Sequence, residues 1–189
     1  MNRYIADCHF NHKAIISFDS RPFLSVNSMN RAMIQSWNFT VNENDDIYIV
    51  GDLIFEGDME PAEILKALKG KKHLIIGNHD SWMMQDNKLI SYFEYVDKYM
   101  EIEDDCERVV LCHYPILEWN GYYRGTWQIS GHIHLSQGKV FEYIRNEDKL
   151  LNAGAVITMY RPVTLEELII CNQPYKRGDL FRNKIIIQE

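Results

Sequence analysis

The chain has 189 residues, 46% of them hydrophobic and 25% charged, with a formal net charge of −7. That balance is the composition of one globular domain, here taken as residues 1–189, and argues against a disordered or coiled-coil chain. The acidic excess argues against a protein that grips long nucleic acid by its phosphates, which needs a basic face, while leaving room for a local pocket that holds a small anion. The four cysteines, at 8, 106, 112 and 171, are unclustered and fit reduced thiols rather than a disulfide framework. No apolar run approaches the ~20 residues that span a bilayer. Asp7 and His9 stand where a signal peptide would be apolar. The expectation is a cytoplasmic protein with no membrane contact.

In chain order, short apolar runs alternate with stretches of helical period, the pattern of an α/β domain. Tyr4 to Ala6 is expected as a first strand. Ser25 or Asn27 can cap a helix carrying Met29, Met33, Ile34 and Trp37. Asp46 to Val50 reads as a strand stopped by Gly51. Pro61 opens a helix with Ile64, Leu65 and Leu68, closed by Gly70. His73 to Ile76 reads as a strand stopped by Gly77. Further strands are expected at Lys98–Ile102, Arg108–Cys112, Trp127–Ser130, Val140–Ile144 and Leu150–Asn152. Thr164 caps a short helix, and the β-branched Lys184–Ile187 reads as an edge strand whose Ile185 and Ile187 could pair across a homodimer.

Polar residues with metal-ligand chemistry follow several of these strands. Five elements occur in order: Asp7-Cys8-His9, Gly51-Asp52, Gly77-Asn78-His79-Asp80, Cys112-His113 and Gly131-His132-Ile133-His134. Each alone is bland, a turn or a satisfied histidine. Together they are informative. In extended backbone residues i and i+2 point to the same side, so Asp7 with His9, and His132 with His134, can reach one ion while Cys8 and Ile133 turn away. Carboxylate, amide and imidazole donors suit Mn, Fe, Co, Ni or Zn. Seven such donors are enough for two ions that share a carboxylate, a clamp suited to in-line attack on phosphorus.

These motifs, in this order from Asp7 to His134, resemble the calcineurin-like metallophosphoesterase superfamily. His9-Phe10-Asn11-His12, Arg21-Pro22-Phe23, His113-Tyr114-Pro115 and Tyr160-Arg161-Pro162-Val163 are similar to its small bacterial and phage-type members. The resemblance implies a four-layer α/β/β/α sandwich of two mixed β-sheets flanked by helices, with the site at strand ends on one edge. It implies one divalent ion on Asp7, His9, Asp52 and His134 and a second on Asp52, Asn78, His113 and His132, with Asp52 and a hydroxide nucleophile bridging. Manganese is among the metals such ligands accept. It implies His79 as general acid, with Asp80 accepting a hydrogen bond from it. The activity implied is hydrolysis of a phosphodiester or phosphomonoester. The short chain leaves little room for a cap domain, which favours a small phosphorylated substrate such as a nucleotide. A nuclease or nucleic-acid end-processing enzyme is the alternative, and a non-catalytic protein-binding scaffold of the same fold a more distant one.

Outside the motifs, His12 can line the site or cap a helix. Cys8 and Cys112 are expected to pack rather than ligate. The segment Trp119 to Trp127 joins the loop after His113 to the strand before His132, which places it near the site. Trp119 and Trp127 are expected to pack there, whereas Tyr123 and Arg124 can meet substrate by stacking and by a phosphate contact. Arg21 and Arg161 are candidate phosphate clamps, with pairing to a carboxylate the preferred reading.

Overall fold

The computed structural model describes residues 1–182, so the expected Lys184–Ile187 strand lies outside the described residues. The elements are β1 (Asn2–Ile5), α1 (Lys13–Phe18), α2 (Val26–Thr40), β2 (Asp46–Ile49), α3 (Pro61–Ala67), β3 (Lys71–Ile75), α4 (Asn87–Ile90), β4 (Phe93–Asp97), β5 (Tyr99–Asp104), β6 (Glu107–Cys112), β7 (Trp127–Ser130), α5 (Lys139–Asn146), β8 (Leu150–Asn152), α6 (Leu165–Arg177) and α7 (Asp179–Arg182). They form a mixed α/β fold with two four-stranded sheets, ordered β1-β2-β3-β4 and β5-β6-β7-β8. The first sheet is parallel throughout. In the second, β5 and β6 form an antiparallel hairpin, and β6, β7 and β8 run parallel.

Side-chain alternation divides the apolar residues among three clusters. In β2, Ile47 and Ile49 point one way, into a cluster with Met29, Met33 and Trp37 of α2 and Ile64 and Leu65 of α3. Tyr48 and Val50 point the other way. They join Tyr4, Val109, Leu111, Ile129 and Leu151, so residues of both sheets share this second cluster. Val110 and Leu150 point away from it, into a third cluster with Phe141 and Ile144 of α5 and Tyr175 of α6. Strands with an apolar residue on each face are what burial from both sides requires.

Local signals explain the element starts. Ser25 and Thr164 each form a capping box, with Ser28 and Glu167 respectively, an arrangement that contributes about 1 kcal/mol. Two sequence expectations change and one strand is added. Val140–Ile144 is part of helix α5, because Phe141 and Ile144 are buried three residues apart while Val140 is exposed, a period of 3.6 and not 2. The helix after Thr164 runs for 13 residues rather than staying short. The parallel strand β4 was not expected; its Glu94, Tyr95 and Asp97 are exposed, so it carries little apolar signal.

Candidate metal centre

The five motifs stand directly after β1, β2, β3, β6 and β7, all at strand C-terminal ends, and their side chains meet at one place. Asp7, His9, Asp52 and His113 are buried, at 0%, 2%, 1% and 0% exposure, and His134 is half-buried. Asn78, His79 and His132 are exposed at the rim.

The backbone that presents them is not the extended chain inferred from alternation. Asp7 and His9 both sit at φ 52°, Asp52 at 54°, His132 at 70° and His134 at 50°. Left-handed backbone at a non-glycine residue costs of order 1–3 kcal/mol, and Asp, Asn and His adopt it more readily than most. Both ligand pairs therefore repeat one device, a left-handed residue on each side of one intervening residue. Asp7 and His9 are brought together, as expected, but for a different local reason; His132 and His134 diverge, His134 toward Asp7 and His9 and His132 toward Asn78. Cys8, between the first pair, is fully buried in the first cluster, and so packs as expected.

Two triplets place one ligand atom each within 4.8 Å of the others: Asp7, His9 and His134, and Asp7, Asp52 and His113. Asp7 is common to both. Asp52 also reaches each side, with Oδ2 3.8 Å from His9 Nε2 and 3.5 Å from His113 Nε2. Asn78 Oδ1 lies 3.0 Å from His113 Nε2 and 2.9 Å from His132 Nδ1, which adds the last two expected ligands to the second group.

Hydrogen bonds to the far sides of the rings fix what they present. His113 Nδ1 faces the Val50 carbonyl at 2.8 Å. A carbonyl only accepts, so Nδ1 carries the proton and Nε2 of the neutral ring turns a lone pair into the cluster. His134 Nδ1 likewise faces Asp19 Oδ2 at 3.0 Å, and its Nε2 stands 3.3 Å from His9 Nε2. Burial, followed by the nearby His134, drives the His9 imidazole down to about 2, so it is a neutral donor. Burial pushes the Asp7 carboxyl up. Burial would also raise Asp52, but the hydrogen bond and charge of His113, the His79 N–H and His9 outweigh it and hold Asp52 at about 2. Imidazole nitrogens and carboxylates converge here without a Lys or Arg among the lining residues. This donor set fits divalent cations.

Asp19 was not singled out from sequence. It is 3% exposed, and Oδ2 accepts from both His134 and Arg21, at 3.0 Å from Arg21 Nη2. Arg21 in turn donates to the backbone carbonyls of Cys8 at 2.7 Å and Asp7 at 2.8 Å. Arg21 is thus the carboxylate-paired arginine that was preferred over a phosphate clamp, and it ties Asp19 to the first ligand loop. Arg161 is also paired, with Glu167 at 3.1 Å. The only sequence trace of Asp19 is its place two residues before Arg21, which no periodicity marks.

Asp80 is a correction. Its Oδ2 accepts the backbone N–H groups of Asp52 and Gly77, both at 2.8 Å, and Oδ1 that of Leu53 at 3.0 Å. Its carboxylate is spent on joining the loops after β2 and β3, and among the described residues it receives no hydrogen bond from His79. The His79 ring instead contacts His9 and Phe55, with centroids 5.7 and 5.2 Å away, while its N–H donates to Asp52 Oδ1 at 2.9 Å. Gly51, at φ 87°, lets the second loop pass against the His113 ring, which a Cβ there would strike.

A cleft of about 280 Å³ opens over this cluster, lined by His9, Asp52, Asn78, His79, His132 and His134 together with His12, Ala14, Ile15 and Phe18. His12 is therefore at the site, its ring stacked on Phe55 at 4.3 Å. Tyr123 and Arg124 are not. The chain from His113 to Trp127 must return to the start of the second sheet because β6 and β7 are parallel, so these two residues end at the opposite end of the strands. Arg124 lines a separate cleft with Glu101, Glu103 and Arg108. Trp119 packs as expected, buried, with Nε1 donating to the Thr126 carbonyl at 2.8 Å.

No family model matches the chain. Uncharacterized protein MJ1445 of Methanocaldococcus jannaschii is 31% identical over 167 residues, covering 87% of each protein. The crystal structure of AQ665, a protein of unknown function from Aquifex aeolicus, superposes with a TM-score of 0.70 at 24% identity, over 88% of this chain and 96% of that one; the two share a fold. Pseudomonas putida nuclease MPE aligns more loosely, with a TM-score of 0.48 at 18% identity over 70% of this chain and 60% of that one. Among the described residues no helix is long and apolar enough to cross a membrane. The identity and coverage shared with MJ1445 show that the chain belongs to the same protein family as that archaeal protein.

Proposed function

We propose that this protein is a metal-dependent phosphohydrolase that cleaves a phosphoester bond of a small substrate at a dinuclear centre. The observation that carries the reading is the meeting of side chains from five strand-end loops: Asp7, His9, Asp52, His113 and His134 in two overlapping groups, with Asn78 and His132 beside His113. The order of the apolar clusters, helix against sheet, sheet against sheet and sheet against helix, supports the expected four-layer sandwich.

In this reading Asp7, His9, Asp52 and His134 hold one ion, and Asp52, Asn78, His113 and His132 hold the other. Two divalent ions supply charge that offsets the phosphoryl oxygens and lowers the pKa of water toward neutrality. His79, exposed on the cleft rim and anchored through its N–H to Asp52, protonates the leaving oxygen. His12 lines the entrance and is placed to meet substrate. Asp80 has a structural part, holding the Asp52 loop. The cleft's small volume matches a compact substrate better than a long polymer.

The test is hydrolysis of bis-p-nitrophenyl phosphate, p-nitrophenyl phosphate and short oligonucleotides after chelation and re-addition of Mn, Fe, Co, Ni or Zn. Turnover that needs metal and is lost in Asp52→Asn is the expected result. Absence of turnover on every ester with every metal, in protein shown to bind the metals, would overturn it.

A further inference from the structure

The cleft has one apolar side, and a single helix makes it. Ala14, Ile15 and Phe18 of α1 all line it. They stand at i, i+1 and i+4, which places Ala14 and Ile15 on the helix face above Phe18. Ile15 is 2% exposed and anchors that face in the first core cluster. Phe18 is 67% exposed, so its ring lies outside that core. It makes a T-shaped contact with the His134 ring, with centroids 5.7 Å apart and planes at 80°. An exposed phenyl ring in contact with a metal-ligand imidazole, on the wall of a cleft otherwise lined by polar side chains, is placed for a partner that the fold does not supply.

We propose that Phe18, carried by the α1 wall, is a stacking platform that selects phosphoesters bearing an aromatic substituent, a nucleobase or an aryl ring. The inference rests on the phosphohydrolase reading: a phosphoryl group seated between the His134 and Asn78 sides of the centre directs its substituent along the cleft, where Phe18 is an exposed aromatic ring beside His134. Faces of π-systems stack whatever their hydrogen-bond pattern, so the platform discriminates aromatic from alkyl substituents and not one base from another.

The probes are non-hydrolysable: methylphosphonate, phenylphosphonate and a nucleoside 5′-methylenephosphonate, titrated calorimetrically into metal-loaded and metal-free protein. The expected result is metal-dependent binding of all three, with phenylphosphonate preferred to methylphosphonate by about tenfold, within the range of one stacked ring. Phe18→Ala brings that ratio to about one, with little change in methylphosphonate affinity. Phe18→Trp keeps the preference, and Tyr123→Ala, an exposed aromatic away from the cleft, leaves it unaltered. A nucleoside phosphonate bound more tightly than phenylphosphonate, with that gain lost in Phe18→Ala, identifies a nucleobase as the ring; parity identifies an aryl ring. Metal-dependent binding with a ratio near one in the wild type, or a ratio unchanged in Phe18→Ala, overturns the platform and leaves the phosphohydrolase reading standing. Phosphonate binding that is absent or indifferent to metal overturns both.

Discussion

Asp19 Oδ2 accepts a hydrogen bond from His134 Nδ1 at 3.0 Å, and this bond decides which nitrogen His134 turns toward His9 and Asp7. Arg21 holds the same oxygen, and both side chains are almost fully enclosed, at 0% and 1% exposure. The pair thus locks the His134 ring through the protein interior rather than through solvent.

Asp19→Asn is expected to weaken metal binding by about 10- to 100-fold, the usual cost of losing a partner behind a ligand histidine. The fold should survive, since Asn keeps the shape and an acceptor. Asp19→Ala leaves the Arg21 guanidinium buried without its carboxylate and should destabilise the protein by about 3–5 kcal/mol. A chelator-competition titration and a denaturant melt separate the two effects; unaltered metal affinity in Asp19→Asn would remove the positioning role.

For Asp80, which accepts three backbone N–H groups, Asp80→Ala strands three buried donors. It should cost at least about 1–3 kcal/mol. A denaturant melt measures this, and unaltered stability in Asp80→Ala would contradict the loop-joining role of Asp80.

His79→Ala should lower kcat by about 10²- to 10⁴-fold on an ester with a poor leaving group, with far less effect on p-nitrophenolate esters, whose leaving oxygen needs no proton. Metal content measured by elemental analysis should not change, since His79 is not among the proposed ligands. Loss of metal in this variant would reassign the residue.

The His113 imidazole sets a pH window. Burial lowers its pKa, but the hydrogen bond to Asp52 and the charges of Asp7 and Asp52 prevail and raise it to about 9. A folded-state pKa above the unfolded value of about 6.5 gives metal-free protein a stabilisation that is fully present below 6.5 and is lost as pH rises through 9. Metal binding needs the neutral ring, so the metal-induced rise in Tm should grow over the same window. Thermal melts with and without metal from pH 6.5 to 9 measure both trends, and parallel curves would contradict the assignment of His113 as a ligand.

The residues that gather at the candidate centre were legible because metal chemistry restricts residue type and the motifs follow apolar runs that stop at glycine, as at Val50-Gly51-Asp52 and Ile76-Gly77-Asn78. Ser25, Pro61 and Thr164 marked their helices because capping and proline geometry act within one turn. Asp80 was misread for a related reason: its sequence neighbour is His79, but besides the N–H of Gly77 its partners are those of Asp52 and Leu53, 27 or 28 residues away.

Residue types and their order along the chain thus determined the α/β class, most of the strands and the set of donors, since those depend on local backbone preference and on the chemistry of single side chains. The left-handed backbone at Asp7, His9, His132 and His134, the Asp19–Arg21 support, the exposed Phe18 on the cleft wall and the removal of Tyr123 and Arg124 to the far end of the second sheet came only with the tertiary structure. Each depends on which loops pack together and on the direction in which parallel strands must be re-entered, and neither is encoded in the identity of neighbouring residues.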